Sequence, residues 1–169
     1  MQTNDNVFTE QQKFRQVWVW VLLIAIDVFF VYAIITQLVL NRAVGTKPLS
    51  NTALVFSALL VFSVTLLFVF MKLQTRISED GIHYQFFPFH RGFKKIAWTE
   101  IKEMHVRKYD PISEYGGWGP KSGPSGQAFN VSGNYGLQLV LHNGTKILVG
   151  TQHPDQVQQV IDTLTITKR

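Results

Sequence analysis

A chain of 169 residues has room for one modest soluble domain beside a membrane anchor. Its lack of cysteine excludes disulfides, thiolate metal centres and cysteine nucleophiles. Sixteen Lys and Arg against eleven Asp and Glu give a net charge of +5; with no basic helix, zinc spacing or aromatic RNA-binding motif beside it, nucleic acid is not an expected partner.

The first 16 residues read as a polar segment on the cytoplasmic side of a membrane. Within it Thr9-x-x-Gln12 has the form of a capping box, which predicts a helix that begins ahead of the first apolar run. That run covers 17–40 and a second covers 53–71. At ~1.5 Å of rise per residue they reach roughly 36 Å and 28 Å, enough for a hydrocarbon core about 30 Å thick. Both are read as retained transmembrane helices. The first exceeds the ~7–15-residue apolar region of a secretory signal, and Arg42 intervenes before the small-x-small pair Ala43 and Gly45. Residues 41–52 form the linker. Lys13, Arg15, Lys72 and Arg76 flank the spans on the terminal side, against Arg42 and Lys47 in the linker. This bias predicts an inner or cell membrane protein whose termini and soluble domain are cytoplasmic, with Trp18 and Trp20 in the interfacial belt.

Asp27 falls near the middle of the first span, where an ionised carboxylate costs at least ~2.5–3.5 kcal/mol. Counting outward from the run midpoints sets Asp27 and Ser63 at nearly equal depth, with Thr65 within one turn. The expected role is an intramembrane polar contact, a protonated Asp27 bonded to Ser63 or to a second copy of the protein. Ion or proton chemistry is the competing reading, although the spans hold no second acid, lysine or histidine for a relay.

Past the second span the pattern changes to period two, with turns at short intervals. Strands are predicted over 73–79, 82–89, a short stretch ending near Trp98, 101–109, 127–132, 137–142 and 145–150. Glu79-Asp80-Gly81 and Arg91-Gly92 supply turns, and Asn143-Gly144 is a two-residue hairpin signal. Residues 110–126 read as a long Gly/Pro/Ser-rich loop. Pro154 opens a closing helix whose Val157, Val160, Ile161 and Leu164 repeat at i, i+3, i+4 and i+7. The expected fold is a membrane-anchored α+β protein: a two-helix transmembrane hairpin, then a seven-stranded β-sandwich or barrel over 72–169, capped by the C-terminal helix.

That element order is the order of a pleckstrin-homology-like (PH-like) domain. Ile77-Ser78-x-Asp80-Gly81-Ile82 and Ile96-x-Trp98-Thr99-x-Ile101, with the closing hairpin and helix, resemble bacterial PH-like membrane proteins with two N-terminal transmembrane helices. A more particular set resembles an uncharacterised family of such two-span proteins across nearly the whole chain. It comprises Arg107-Lys108-Tyr109-x-Pro111-x-x-Glu114-Tyr115-Gly116-Gly117-Trp118-Gly119, Gly133-Asn134-x-Gly136-Leu137-Gln138-Leu139 and Gly150-Thr151-Gln152-x-Pro154. The resemblance implies architecture and membrane location but no reaction. Phosphoinositide-binding members of the wider fold carry Lys and Arg at the first hairpin. Here that turn is Glu79-Asp80-Gly81, which repels phosphate, and the cations Arg91, Lys94 and Lys95 stand at the next turn as membrane-surface candidates.

The predicted loop is the best place for a partner site, because long loops without their own structure are commonly functional. It gathers Tyr109, Tyr115 and Trp118 among five glycines. Either these aromatics dock on a partner, with Arg107 and Glu114 orienting the contact, or Tyr115 and Trp118 fold back over an open sheet edge. Five scattered histidines make no zinc spacing, and no nucleophile elbow, phosphate loop or dinucleotide fingerprint occurs. Asn130-Val131-Ser132 and Asn143-Gly144-Thr145 match glycosylation acceptors only by pattern. The expectation is a non-enzymatic recognition or scaffolding domain without cofactor or metal, whose partners are the bilayer and a membrane protein or another copy of itself. The alternative is an accessory subunit of a transport or envelope complex, assembled through the hairpin.

Overall fold

The computed structural model describes residues 6–123 and 125–167. The chain forms two compact units, one from Arg15–Phe70 and the other from the segments ending at Phe14 and beginning at Met71.

The first unit is helical. Helix α1 (Val17–Ile34) runs on through one wider π-helical turn, Ile35–Val39, and α2 covers Asn51–Phe70. Both helices are long and apolar enough to cross a membrane, and their bounds lie within about two residues of the predicted spans. They meet through the small side chains Ala33 and Ala58, with Leu54 buried beside them, as helices do where close backbone approach replaces the hydrophobic effect. Most of their remaining surface is exposed apolar side chain. Gln37 closes the connection by donating from Nε2 to the Leu49 carbonyl at 2.6 Å and to Asn51 Oδ1 at 2.8 Å. The expected Asp27–Ser63 bond is not made. The Ser63 hydroxyl donates back to the Leu59 carbonyl at 2.7 Å, the local bond a helical serine reaches most easily. Asp27 Oδ1 and Thr65 Oγ1 are buried without a hydrogen-bond partner among the described residues.

The second unit opens with a correction. Instead of entering a helix, Thr9 and Gln12 lie in strand β1 (Asn6–Lys13), which pairs antiparallel with β2 (Lys72–Ser78). The first sheet continues with β3 (Gly81–Phe87) and β4 (Lys94–Ile96), in the order β1-β2-β3-β4. A second sheet has the order β5-β8-β9-β7-β6, from β5 (Ile101–Lys108), β6 (Gly119–Gly123), β7 (Gly126–Asn130), β8 (Tyr135–Leu141) and β9 (Lys146–Gly150). Nine strands among the described residues thus replace the expected seven. Both extras, β1 and β6, come from segments without an apolar alternation. No ladder among the described residues joins the two sheets into a barrel.

Alternation buries Leu73 and Ile77 of β2 and Ile82, Tyr84 and Phe86 of β3. These face Phe129 of β7, Leu137 and Leu139 of β8 and Ile147 and Val149 of β9, and the Tyr84 and Phe129 rings touch across the sheets with centroids 4.9 Å apart. The Asn143-Gly144 signal does form the β8–β9 hairpin, but with a three-residue loop. The Gly144 amide returns to the Leu141 carbonyl, the Leu141 amide donates to Thr145, and Gly144 takes φ +83°, the left-handed position of that loop class. Helix α4 (Pro154–Thr167) buries Val157, Ile161 and Leu164 of the predicted stripe, leaves Val160 half-buried, and packs on β5, β8 and β1.

Candidate functional site

The segment expected as a structureless loop is folded. Asp110 caps a single-turn helix α3 (Pro111–Tyr115), its Oδ1 accepting from the amides of Ile112 at 2.9 Å and Ser113 at 3.1 Å. Those amide bonds hold its carboxyl below the usual range. Gly116 closes the turn in the left-handed conformation with φ +72°, and the chain then enters β6.

Arg107 and Glu114 come together as a bidentate pair, with Nη2–Oε2 at 2.7 Å and Nη1–Oε1 at 3.2 Å. Arg107 Nε also donates to Gln138 Oε1 at 3.1 Å, and Glu114 Oε1 accepts the Asp110 amide at 2.9 Å. The guanidinium is the main cause of the lowered Glu114 carboxyl. Both charges are thus spent on each other and on the backbone, and their role is to fix α3 against β5.

Tyr109 and Tyr115 are buried and meet edge to face at 6.0 Å, packed on Ala128 and Leu148. In this structure their rings belong to the interior, not to a contact surface. The Tyr109 hydroxyl accepts from Asn130 Nδ2 at 2.9 Å, and Asn130 Oδ1 accepts the Gly119 amide at 2.8 Å. Burial raises the Tyr109 phenol to about 12, so it stays protonated. Asn130 is fully buried with both ends of its amide engaged, which removes it as a glycosylation acceptor in the folded chain. Sequence reasoning missed Asn130 and Gln138, since a lone polar residue in an apolar strand carries no signal of its partner.

Trp118 is half-buried, its Nε1 donating to the Gly133 carbonyl at 3.0 Å. It lines an open groove of about 800 Å³ together with Lys108, Asp110, Pro111, Glu114 and Asn134. The groove joins an aromatic wall to one exposed cation and one exposed carboxylate, Asp110. That mixture suits an amphipathic segment of another molecule better than a small buried substrate.

The three cations expected at a membrane surface divide. Lys95 Nζ lies 2.6 Å from Asp80 Oδ2, while Asp80 Oδ1 accepts the Ser78 hydroxyl at 2.6 Å and lies 3.0 Å from His83 Nε2. Lys95, then Ser78 and His83, hold the Asp80 carboxyl well below the usual range. Asp80 and Lys95 therefore neutralise each other, and Arg91 and Lys94 remain exposed. Among the described residues, no three His, Asp or Glu side chains converge as metal ligands.

Residues 2–167 match the model of a family of unknown function, DUF6141, and the chain belongs to that family. The comparison with curated proteins gave no match.

Proposed function

We propose that this chain is a non-enzymatic membrane-anchored recognition module, in which the two-helix hairpin holds a domain of PH-like plan at the cytoplasmic face of a membrane. The groove beside Trp118 then receives a segment of a membrane protein. The observation that carries this reading is the preformed groove: the Arg107–Glu114 pair, the Asp110 cap and Asn130 fix its walls before any partner arrives, which lowers the ordering cost of binding. Two apolar helices with mostly exposed surfaces support the anchor, and confinement to the membrane raises the effective concentration for partners that share it.

The test is quantitative crosslinking and co-purification of the full-length chain from native membranes. Trp118→Ala removes a groove wall without touching the core, so a partner enriched by the parent protein should be lost with this variant. Retention of every partner by Trp118→Ala overturns the groove reading. A second reading, an accessory subunit assembled through the hairpin, is favoured by the unpartnered Asp27 Oδ1. It predicts partners lost with Asp27→Ala and kept with Trp118→Ala.

A further inference from the structure

The β3–β4 connection is unlike the rest of the β domain's surface. Phe87 is 37% exposed, Phe89 55% and Phe93 36%, three large apolar side chains within seven residues. Among the described residues, the other large apolar side chains exposed on this domain, Ile112 and Tyr135, stand apart from them in the chain. Exposed aromatics concentrated in one turn call for an occupant.

The turn is also basic. Arg91 and Lys94 are exposed within it, and residues 86–95 contain no acid. Two further cations reach its rings from β2: the Arg76 guanidinium lies 4.3 Å from the centre of Phe93, and Lys72 Nζ lies 5.8 Å from that of Phe87. In the acidic turn between β2 and β3, Asp80 is paired with Lys95. Phenylalanines ringed by cations match the two layers of an anionic bilayer surface, where rings enter the acyl boundary and cations stay with the headgroups.

Chain connectivity identifies the bilayer as occupant over a soluble protein. Lys13 pairs with Lys72, and Lys72 with Phe87, so these three form one end row of the first sheet. The chain leaves for the helical unit just beyond Lys13 and returns at Met71. Only Met71 stands between Lys72 and the last residue of α2, a reach of ~7 Å at full extension.

The turn is built rigidly. The His90 amide donates to the Phe86 carbonyl at 2.8 Å, the Phe86 amide to His90 Nδ1 at 3.2 Å, and Gln85 Nε2 to the His90 carbonyl at 3.1 Å. The Phe89 ring rests against Phe86, with centroids 6.0 Å apart. Little conformational freedom is left to lose on contact.

We propose that the turn carrying Phe87, Phe89 and Phe93, with Arg91 and Lys94, is a second membrane contact that enters the interfacial layer of an anionic bilayer and fixes the orientation of the β domain. The inference rests on the anchored reading above. A cysteine-free chain allows both to be tested with single labels. Gly92 is exposed, a Cβ there meets nothing within 4 Å, and its φ is not in the left-handed region, so Gly92→Cys carries a nitroxide without removing a phenylalanine. Leu60→Cys reports the middle of α2, and Asn143→Cys an exposed hairpin remote in sequence.

The full-length protein is reconstituted in vesicles of phosphatidylcholine with phosphatidylglycerol and in phosphatidylcholine alone, and label accessibility is read by electron paramagnetic resonance with oxygen and a water-soluble nickel chelate. The expected result is a Gly92 label shielded from nickel and open to oxygen on anionic vesicles, with the Asn143 label open to nickel. Arg91→Gln and Lys94→Gln should each reduce the inserted population by about fivefold on anionic lipid, with no change at the Leu60 or Asn143 labels. A Gly92 label open to nickel while the Leu60 label is lipid-protected overturns the second contact and leaves the anchor standing. A Gly92 label shielded from both reagents means a protein contact and also overturns it. A Leu60 label open to nickel removes the anchor, and the inference with it.

Discussion

At the scale of single residues, the β domain is organised by a few polar side chains whose partners lie far away in the chain. Asn130 is the clearest case, joining Gly119 at the start of β6 to Tyr109 at the end of β5. Asn130→Ala strands the buried Gly119 amide and the Tyr109 hydroxyl, so it should cost ~2–4 kcal/mol, whereas Tyr109→Phe breaks one bond and strands only Asn130 Nδ2, and should cost ~1–3 kcal/mol. Thermal unfolding of the full-length protein in detergent checks that order. Equal losses would mean that the Gly119 bond contributes nothing. His90 gives a pH signature. Its ring lies between Tyr84 and Phe129 with Lys94 nearby, and burial first, then Lys94, lowers its pKa below the ordinary 6.5. The neutral ring accepts the Phe86 amide, so the unfolded chain takes up the proton first as pH falls. Stability should be flat above about pH 7 and fall from about 6.5 down to the folded pKa. His90→Gln should remove this part of the slope. Unfolding measured between about pH 7.5 and 5.5 compares the two proteins, and equal slopes would defeat the assignment.

At the scale of elements, what could be read from the sequence was what is local and apolar. The spans, the β2–β3 and β8–β9 hairpins and the α4 stripe each carry a periodicity or turn signal of their own. Strand β1 does not, because its inward face alternates Phe8, Glu10, Gln12 and Phe14, so polar residues stand where the pattern asks for apolar ones. Their burial is made tolerable by partners about 140 positions away: Glu10 accepts from Thr151 Oγ1 at 2.7 Å and the Gln152 amide at 2.8 Å, and Gln12 donates to the Gly150 carbonyl at 2.7 Å. Strand β6, Gly-Pro-Lys-Ser-Gly, has no β-forming side chain and exists as an edge strand paired to β7. The parallel β7–β9 pairing has no local cause at all. For the candidate site, the residue list was legible and its meaning was not: Arg107, Glu114 and Trp118 could be named, but that the two charges pair and the tyrosines turn inward is decided by packing. Glu10→Ala tests the long-range tie. It should cost ~2–4 kcal/mol by leaving the Thr151 hydroxyl proton and the Gln152 amide without their acceptor and raise amide exchange along β1, the outer edge of β2 and the first turn of α4. Glu10→Gln, keeping one acceptor, should fall between. Unchanged exchange in the α4 turn would show that Glu10 does not hold it.

At the scale of the whole molecule, a β domain built from both sides of a helical insertion makes the order of chain segments matter to its folding. Strand β1 is an edge partner of β2, so the chain must cross both helices before its first sheet can close, and a fragment begun at Met71 would expose the β2 edge to intermolecular pairing. The helices have their own incomplete account. Ser63 is satisfied within its own helix, yet Asp27 Oδ1 and Thr65 Oγ1 are buried without a partner among the described residues, and in a bilayer no water replaces one. A second copy can supply what one hairpin lacks, since a protonated carboxyl both donates and accepts and can pair with its own symmetry mate. Interhelical hydrogen bonds of this kind contribute about 1–2 kcal/mol, so Asp27→Leu should weaken self-association of the purified protein in vesicles roughly 5–30-fold, whereas Asp27→Asn, which also donates and accepts, should retain most of it. Energy transfer between donor- and acceptor-labelled copies at Asn143→Cys, diluted progressively in lipid, measures the difference. If the parent protein shows no transfer above the dilution expected for monomers, the carboxyl is satisfied by a different membrane protein, and the accessory-subunit reading gains at the expense of self-association.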